Sequence, residues 1–179
     1  MDANSSASRA QQRRVLGEIL GVTEDEPRIV SIHSAGATSW VLDALADHPQ
    51  KGVVLHWWRG KPDETARAVM LGCFFSVNES DMRRPTVIGR VPWDRLLLET
   101  DHPYGDRQRG AAPGKLEAVE RAIAGELGVT PSSVRRGLWG NLARLVEATG
   151  TASLFGDRIR RMLSLAPESL SSSAGAQSP

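Results

Sequence analysis

Arg95-Leu-Leu-Leu-Glu-Thr-Asp-His-Pro-Tyr104 joins an unbroken apolar run to two acids and a proline. Three consecutive leucines leave no polar face, which suits a strand buried on both sides in a parallel sheet. Pro103 removes a ladder donor and restricts the residue before it, so the strand must stop as Glu99 and Asp101 are reached. A carboxylate at the C-terminal end of a buried parallel strand is where barrel enzymes keep their chemistry. Two upstream runs follow the same plan, Ile29-Val-Ser-Ile-His33 and Val53-Val-Leu-His56, each ending in histidine. Three strand ends therefore present His33, His56 and Asp101, and Cys73-Phe-Phe-Ser-Val77 supplies a further strand between them. The strand ends recur at intervals of a little over twenty residues, about one strand-plus-helix unit each. The expected fold class is α/β, with four parallel βα units.

Between the strands the apolar residues change to helical spacing. Val15, Leu16, Ile19 and Leu20 predict a helix over 9–20, with Gly21 ending it. Trp40, Val41, Leu42 and Leu45 are the expected inner face of a helix over 38–46. Pro62 and the acids after it mark the start of a third helix, over 62–71. A short helical segment is expected near 84–91, a loop over 105–114 and a helix over 116–127. Thr130 followed by Pro131 reads as a capped start to a helix towards Glu147, with a break at Gly137 or Gly140. A last amphipathic helix is expected within 154–165. The organisation read from these patterns is a disordered leader over 1–8, a body over 9–150, a C-terminal helix over 151–166 and a disordered tail over 167–179.

The 179 residues, 40% of them hydrophobic, suffice for one substantial core. A net charge of +1 gives no global argument for nucleic acid. The basic residues are nonetheless almost all arginine, the side chain suited to bidentate phosphate contacts, with only Lys51, Lys61 and Lys115 as lysines. A single cysteine, Cys73, excludes an intramolecular disulfide framework and reads as a small buried hydrophobe. No window approaches the roughly 18 apolar residues of a membrane span, and the N-terminus lacks a signal-peptide core, so a cytoplasmic protein is expected.

Imidazole and carboxylate bind borderline divalent metals, and a His33, His56, Asp101 set at one end of a parallel sheet is a candidate metal site. Taken singly, His33 or His56 is more often a hydrogen-bonded, partly buried side chain than a ligand, and three such residues in equivalent positions shift the reading towards a site. Glu99, two residues before Asp101, shares its side of the strand and is a candidate to fix a ligand histidine. His102 is expected to point elsewhere. Trp57, Trp58 and Arg59 suit either nucleic-acid stacking or a plug for the core.

The blocks Ser31-Ile-His33-Ser34, Val54-Leu-His56-Trp57-Trp-Arg-Gly60, Gly72-Cys-Phe-Phe-Ser-Val-Asn78, Pro92-Trp-Asp-Arg-Leu-Leu-Leu-Glu-Thr-Asp-His-Pro-Tyr104 and Trp139-Gly-Asn-Leu-Ala-Arg-Leu145 occur in one order. They resemble the TatD family of metal-dependent hydrolases, from about Gln11 to Val146. The Trp57 and Cys73–Asn78 blocks look more like the TatD-like branch of Qat-type anti-phage systems. The resemblance implies a TIM-barrel-like fold, one or two divalent ions (Mg, Mn or Zn) and hydrolysis of phosphodiesters, typically DNA. It makes His33 the ligand closing the fifth strand, His56 the one closing the sixth and Asp101 the acid closing the eighth, with Asp101 also orienting or deprotonating the nucleophilic water. Glu99, Asn78 and Arg59 are then expected to support a ligand or to touch substrate.

A complete member carries a His-x-His pair on its first strand and a metal-bridging Glu on its fourth, and neither is found here. Ala35 stands where many relatives have an Arg. The chain thus reads as a partial TIM barrel, strands five to eight, with an incomplete metal site. Four such strands would leave two open edges and one uncovered face, to be filled by a separately encoded N-terminal half or by a second copy, or else left bare in a fragment of a broken or mis-started gene. The alternative from another class is a non-catalytic half-barrel that serves a partner or binds nucleic acid. An amidohydrolase of the same His, His, Asp order explains the Tyr104 and Asn141 blocks less well.

Overall fold

In a computed structural model that describes residues 1–2, 5–26, 28–83, 89, 91–103 and 112–166, the four apolar runs form four parallel strands. They are β1 (Val30–His33), β2 (Val53–His56), β3 (Phe74–Val77) and β4 (Leu96–Leu98), in the spatial order β1-β2-β3-β4. The register aligns Val30 with Val53 and His33 with His56, and carries on through Leu55 with Phe75 and Val77 with Leu98. Helices α1 (Arg9–Thr23), α2 (Thr38–Asp47) and α3 (Pro62–Met70) lead into or connect the first three strands, and α4 (Glu117–Leu127), α5 (Pro131–Thr149) and α6 (Asp157–Ser164) follow β4. The expected segment at 84–91 (Gly89 and Val91 excepted), Tyr104 with most of the 105–114 loop, and the tail over 167–179 lie outside the described residues.

Local chemistry explains several helix boundaries. Ser8 caps α1 and forms a capping box with Gln11, and the backbone N–H of Lys61 donates to Glu64 at the start of α3. Two sequence expectations are corrected. Gly21 does not end α1; the helix continues to Thr23, whose hydroxyl donates to the Ile19 and Leu20 carbonyls. A glycine permits a left-handed terminus but does not impose one. Likewise α5 runs unbroken through Gly137 and Gly140, both on its buried side with Asn141 and Leu145.

Strand alternation divides the core in two. Val53, Leu55, Phe75, Val77 and Leu96 face the helices and join Leu16, Leu20, Val41, Leu42, Leu45, Ala68 and Ile123, with Trp40 at its margin. Burying a side chain the size of Phe75, which is 0% exposed, contributes roughly 2–3 kcal/mol. The opposite face carries Ile29, Ser31, His33, Val54, His56, Phe74, Ser76, Leu97 and Glu99. The expectation that this face stands uncovered is corrected towards the N-terminal ends of the strands, where Leu142 and Leu145 of α5 pack on Val54, Phe74 and Leu97. Asn141 anchors the helix there: its fully buried amide donates to the carbonyls of Trp93 (2.6 Å) and Leu96 (2.8 Å). What α5 leaves open is the C-terminal end of the face, which holds the polar side chains. Among the described residues no helix is long and apolar enough to cross a membrane.

Two outcomes follow from this packing. Asn141→Ala removes the side-chain donor from the Leu96 carbonyl and leaves the Trp93 carbonyl with the Leu96 N–H alone, and is expected to lower stability by about 1–3 kcal/mol in urea unfolding. Burial pushes the Cys73 thiol up from 9.0 to about 12, so its neutral form is favoured by folding; that contribution is full below the ordinary thiol value and is lost as pH rises towards about 12. At pH 8 a thiol reagent should label Cys73 only at the rate of unfolding, with denaturant accelerating labelling in parallel with loss of structure.

Candidate functional site

Parallel pairing brings His33 and His56 side by side at the ends of β1 and β2, with ring centroids 5.2 Å apart. From β4, Glu99 reaches across β3 to accept a hydrogen bond from His56 Nδ1 at 2.7 Å, and the Ser76 hydroxyl from β3 donates to the same carboxylate oxygen. The other oxygen of Glu99 is buried with no hydrogen-bond partner among the described residues. With Nδ1 engaged, His56 turns Nε2 towards Asp101, whose Oδ1 lies 3.9 Å away. Asp101 itself sits just past β4 at φ 47°, a left-handed conformation that asparagine and aspartate tolerate better than most residues. The exposed His102 lies beyond it.

The two imidazoles are driven in opposite directions. The Glu99 hydrogen bond raises the pKa of His56 against the opposing effect of burial, and the Glu99 and Asp101 charges add to the rise. Burial lowers that of His33, and the neighbouring His56 lowers it further. His56 is thus the better proton holder of the pair, and a metal at its Nε2 would compete with that proton.

Arg59 and Asn78 belong to an adjoining cluster. Asn78 and Asp81 are both fully buried. Asp81 accepts the Asn78 backbone N–H at 3.1 Å and faces Arg59 Nε at 3.4 Å. Burial pushes the Asp81 carboxyl up, while the Asn78 N–H and the Arg59 charge pull it back. The Arg59 guanidinium lies over the Trp57 ring, 4.5 Å from its centroid. Trp58 is the core plug, 2% exposed, with its indole N–H donating to Thr65 at 2.9 Å. Gly60 permits this plug, because a Cβ there would stand 2.1 Å from the Trp58 ring.

Sequence reasoning missed Asp2. The segment expected to be a disordered leader instead lays Asp2 alongside Ala35 in a parallel bridge next to β1, and the Met1 ammonium donates to the His33 carbonyl. Gln12 grips the Asp2 backbone from both sides, accepting its N–H at 2.9 Å and donating to its carbonyl at 3.0 Å. The Asp2 carboxylate then lies 3.8 Å from His33 Nε2. Gln12 sat on the polar face of a predicted helix, with nothing in its spacing to mark the contact.

The donors present are the right chemistry for a divalent cation, two imidazoles and neighbouring carboxylates, but among the described residues no group of three or more His, Cys, Asp and Glu side chains is placed to hold one. The set fits such an ion in kind and falls short in number.

Fold and site together define an α/β protein that gathers imidazole and carboxylate at the carboxyl ends of a parallel sheet, the arrangement of barrel-type enzymes. The chain belongs to the TatD related DNase family, whose model matches residues 1–147. It is 27% identical to human deoxyribonuclease TATDN3 over 104 residues, which is 56% of this chain and 38% of that protein. To the mouse putative deoxyribonuclease TATDN3 it is 24% identical over 148 residues, 80% of this chain and 50% of that one. The crystal structure of YJJV, a TatD homologue from Escherichia coli K12, superposes with a TM-score of 0.71 at 22% identity, covering 81% of this chain and 60% of that one. The chain therefore spans half or less of the length of these curated relatives and 60% of the YJJV structure.

Replacing Glu99 by Gln removes the charge that supports the His56 proton. The His56 titration, followed by NMR of the imidazole Cε1 proton, should move to lower pH, while His33 should move less because burial is its main cause.

Proposed function

We propose that this chain is the C-terminal half of a TatD-type metal-dependent hydrolase acting on phosphodiester bonds, with DNA as the substrate class. The observation that carries this reading is the Glu99–His56 hydrogen bond, which commits Nδ1 and leaves Nε2 beside Asp101. A carboxylate that orients a histidine is the usual support of a metal ligand. His33, His56 and Asp101 would hold a divalent ion, Mg, Mn or Zn. The chemistry such an ion supplies is a lowered pKa for bound water and relief of charge on the phosphate. Asp101 would orient or deprotonate the attacking water, Glu99 would keep His56 in its binding tautomer, and Arg59 and Asn78 would border the substrate.

In this reading β1 to β4 correspond to strands five to eight of a barrel, in a body over 9–150 with a C-terminal helix over 151–166. The remaining donors would come from an N-terminal half, upstream on the same polypeptide or separately encoded, or from a second copy of the chain, with the protein in the cytoplasm. The second reading is a non-catalytic half-barrel that serves a partner or binds nucleic acid. It is favoured by one observation, the lack of a three-donor cluster among the described residues.

Calorimetric titration with Mn, Mg and Zn separates the two. The hydrolase reading expects binding by the wild type, weakened at least about 10-fold in His56→Ala and Asp101→Ala and about 10- to 100-fold in Glu99→Gln, with metal-dependent cleavage of single-stranded DNA. A folded wild type that takes up none of the three ions would leave the non-catalytic reading.

A further inference from the structure

Beside the histidines lies a cavity of about 320 Å3, bordered by His33, Ser34, Gly36 and Thr38 on one side and by Trp57 and Arg59 on the other. Its volume falls at the small end of ligand pockets, the range of one nucleotide and not of a folded partner. Two features make its far wall a built surface. The Arg59 guanidinium lies over the Trp57 ring, 4.5 Å from its centroid, faces the fully buried Asp81 at 3.4 Å and donates to the Ser80 hydroxyl at 3.3 Å. Trp57 keeps φ 48°, a conformation that costs a bulky aromatic residue stability and persists only where the surroundings impose it.

We propose that this cavity is a subsite for a single nucleobase of single-stranded nucleic acid, with the base stacking on the Trp57–Arg59 pair. Every base has a π-face, and a planar cation backed by an indole receives it without reading its identity. Asp81 offsets much of the Arg59 charge, so the wall acts chiefly as a stacking platform and only secondarily as a phosphate anchor. A double-stranded substrate cannot offer an unstacked base to a cavity of this size without being opened. The cavity shares His33 with the proposed metal donors, which places the base next to the phosphate under attack. The subsite deepens the hydrolase reading by assigning Trp57 and Arg59 as the residues that receive the substrate's base, and it rests on that reading for the link to cleavage. Base binding itself needs no metal.

The test is fluorescence anisotropy in EDTA with fluorescein-labelled hexathymidylate and with an abasic strand of equal length. The wild type should bind hexathymidylate more tightly than the abasic strand. Trp57→Ala and Arg59→Lys should each weaken hexathymidylate about 5- to 100-fold and leave the abasic strand unchanged. Arg59→Lys keeps a cation against Asp81 while removing the plane, so it tests stacking without stranding a buried carboxylate; thermal melts of both variants verify folding. Equal affinity for the two strands, no binding by the wild type, or no loss in a folded Arg59→Lys would each overturn the subsite. Because chelator is present throughout, a protein that takes up no metal can still pass, and one that binds metal can still fail.

Discussion

The parallel register of β1 on β2 is the constraint on which the rest of the site depends. Once Val30 is opposite Val53, His33 must be opposite His56, and the two imidazoles share both an end and a face of the sheet. A slip of one residue would send one histidine among the helices and one leucine to the open face. What prevents the slip is the separation of the two cores: Leu55 and Phe75 are completely buried on the helical side, and Val54 and Phe74 are buried under α5. The same alternation places Ser76 and Glu99 on the histidine side of β3 and β4. The hydrogen bond from His56 to Glu99 is thus a consequence of sheet order and register, with Ser76 on the strand between them helping to hold the carboxylate.

How much of this was legible beforehand depended on whether a residue's role is local. The strands announced themselves by short apolar runs with polar ends, and β2 was read to the residue because Gly52 and His56 bound it. Cys73 and Trp58 were also within reach, since a buried thiol and a core plug follow from positions just before β3 and just after β2. Gly21 and Gly140 misled because glycine is only permissive, and the decision lay with contacts distant in sequence, Gln50 against Thr23 and the Leu20 carbonyl in one case and Asn141 at the start of β4 in the other. Asp2 could not have been found at all. Its place is set by a two-way grip from Gln12 and a bridge to Ala35, and neither leaves a periodic trace.

Asp2 also bears on the edge of the sheet. An edge strand offers unpaired N–H and C=O groups, which proteins cover or blunt. Here the chain's first residues run beside the end of β1, so this edge is met by backbone at Ala35 and by a carboxylate near His33. The edge beyond β4 has no such neighbour among the described residues, but the C-terminal part of that strand borders a shallow apolar cavity lined by Leu116, Leu138 and Leu142. The two edges are therefore unlike, one closed by a polar contact at the site and the other flanked by apolar helix surface.

Trp57 and Asp101 are the two non-glycine residues with positive φ among those described, and each follows the end of a strand that supplies a site residue. In an extended chain His56 and Trp58 would point to the same face. The left-handed turn at Trp57 breaks that alternation, so His56 stays at the open mouth while Trp58 enters the helical core, packs at 5.3 Å on Phe75 and finds Thr65 for its N–H. A strained residue of this kind costs on the order of 1–3 kcal/mol, and complete burial of an indole offsets it by a similar amount. Strain and plug are thus one device: the tryptophan that fills the core fixes the turn, and the turn in turn leaves Trp57 at the mouth, where its ring supports Arg59. The same conformation at Asp101 turns the chain immediately after Glu99, so that two acids separated by one residue meet opposite nitrogens of a single histidine. An extended strand end would carry both carboxylates past His56 on one line; the reversal at Asp101 is what lets the second acid face Nε2.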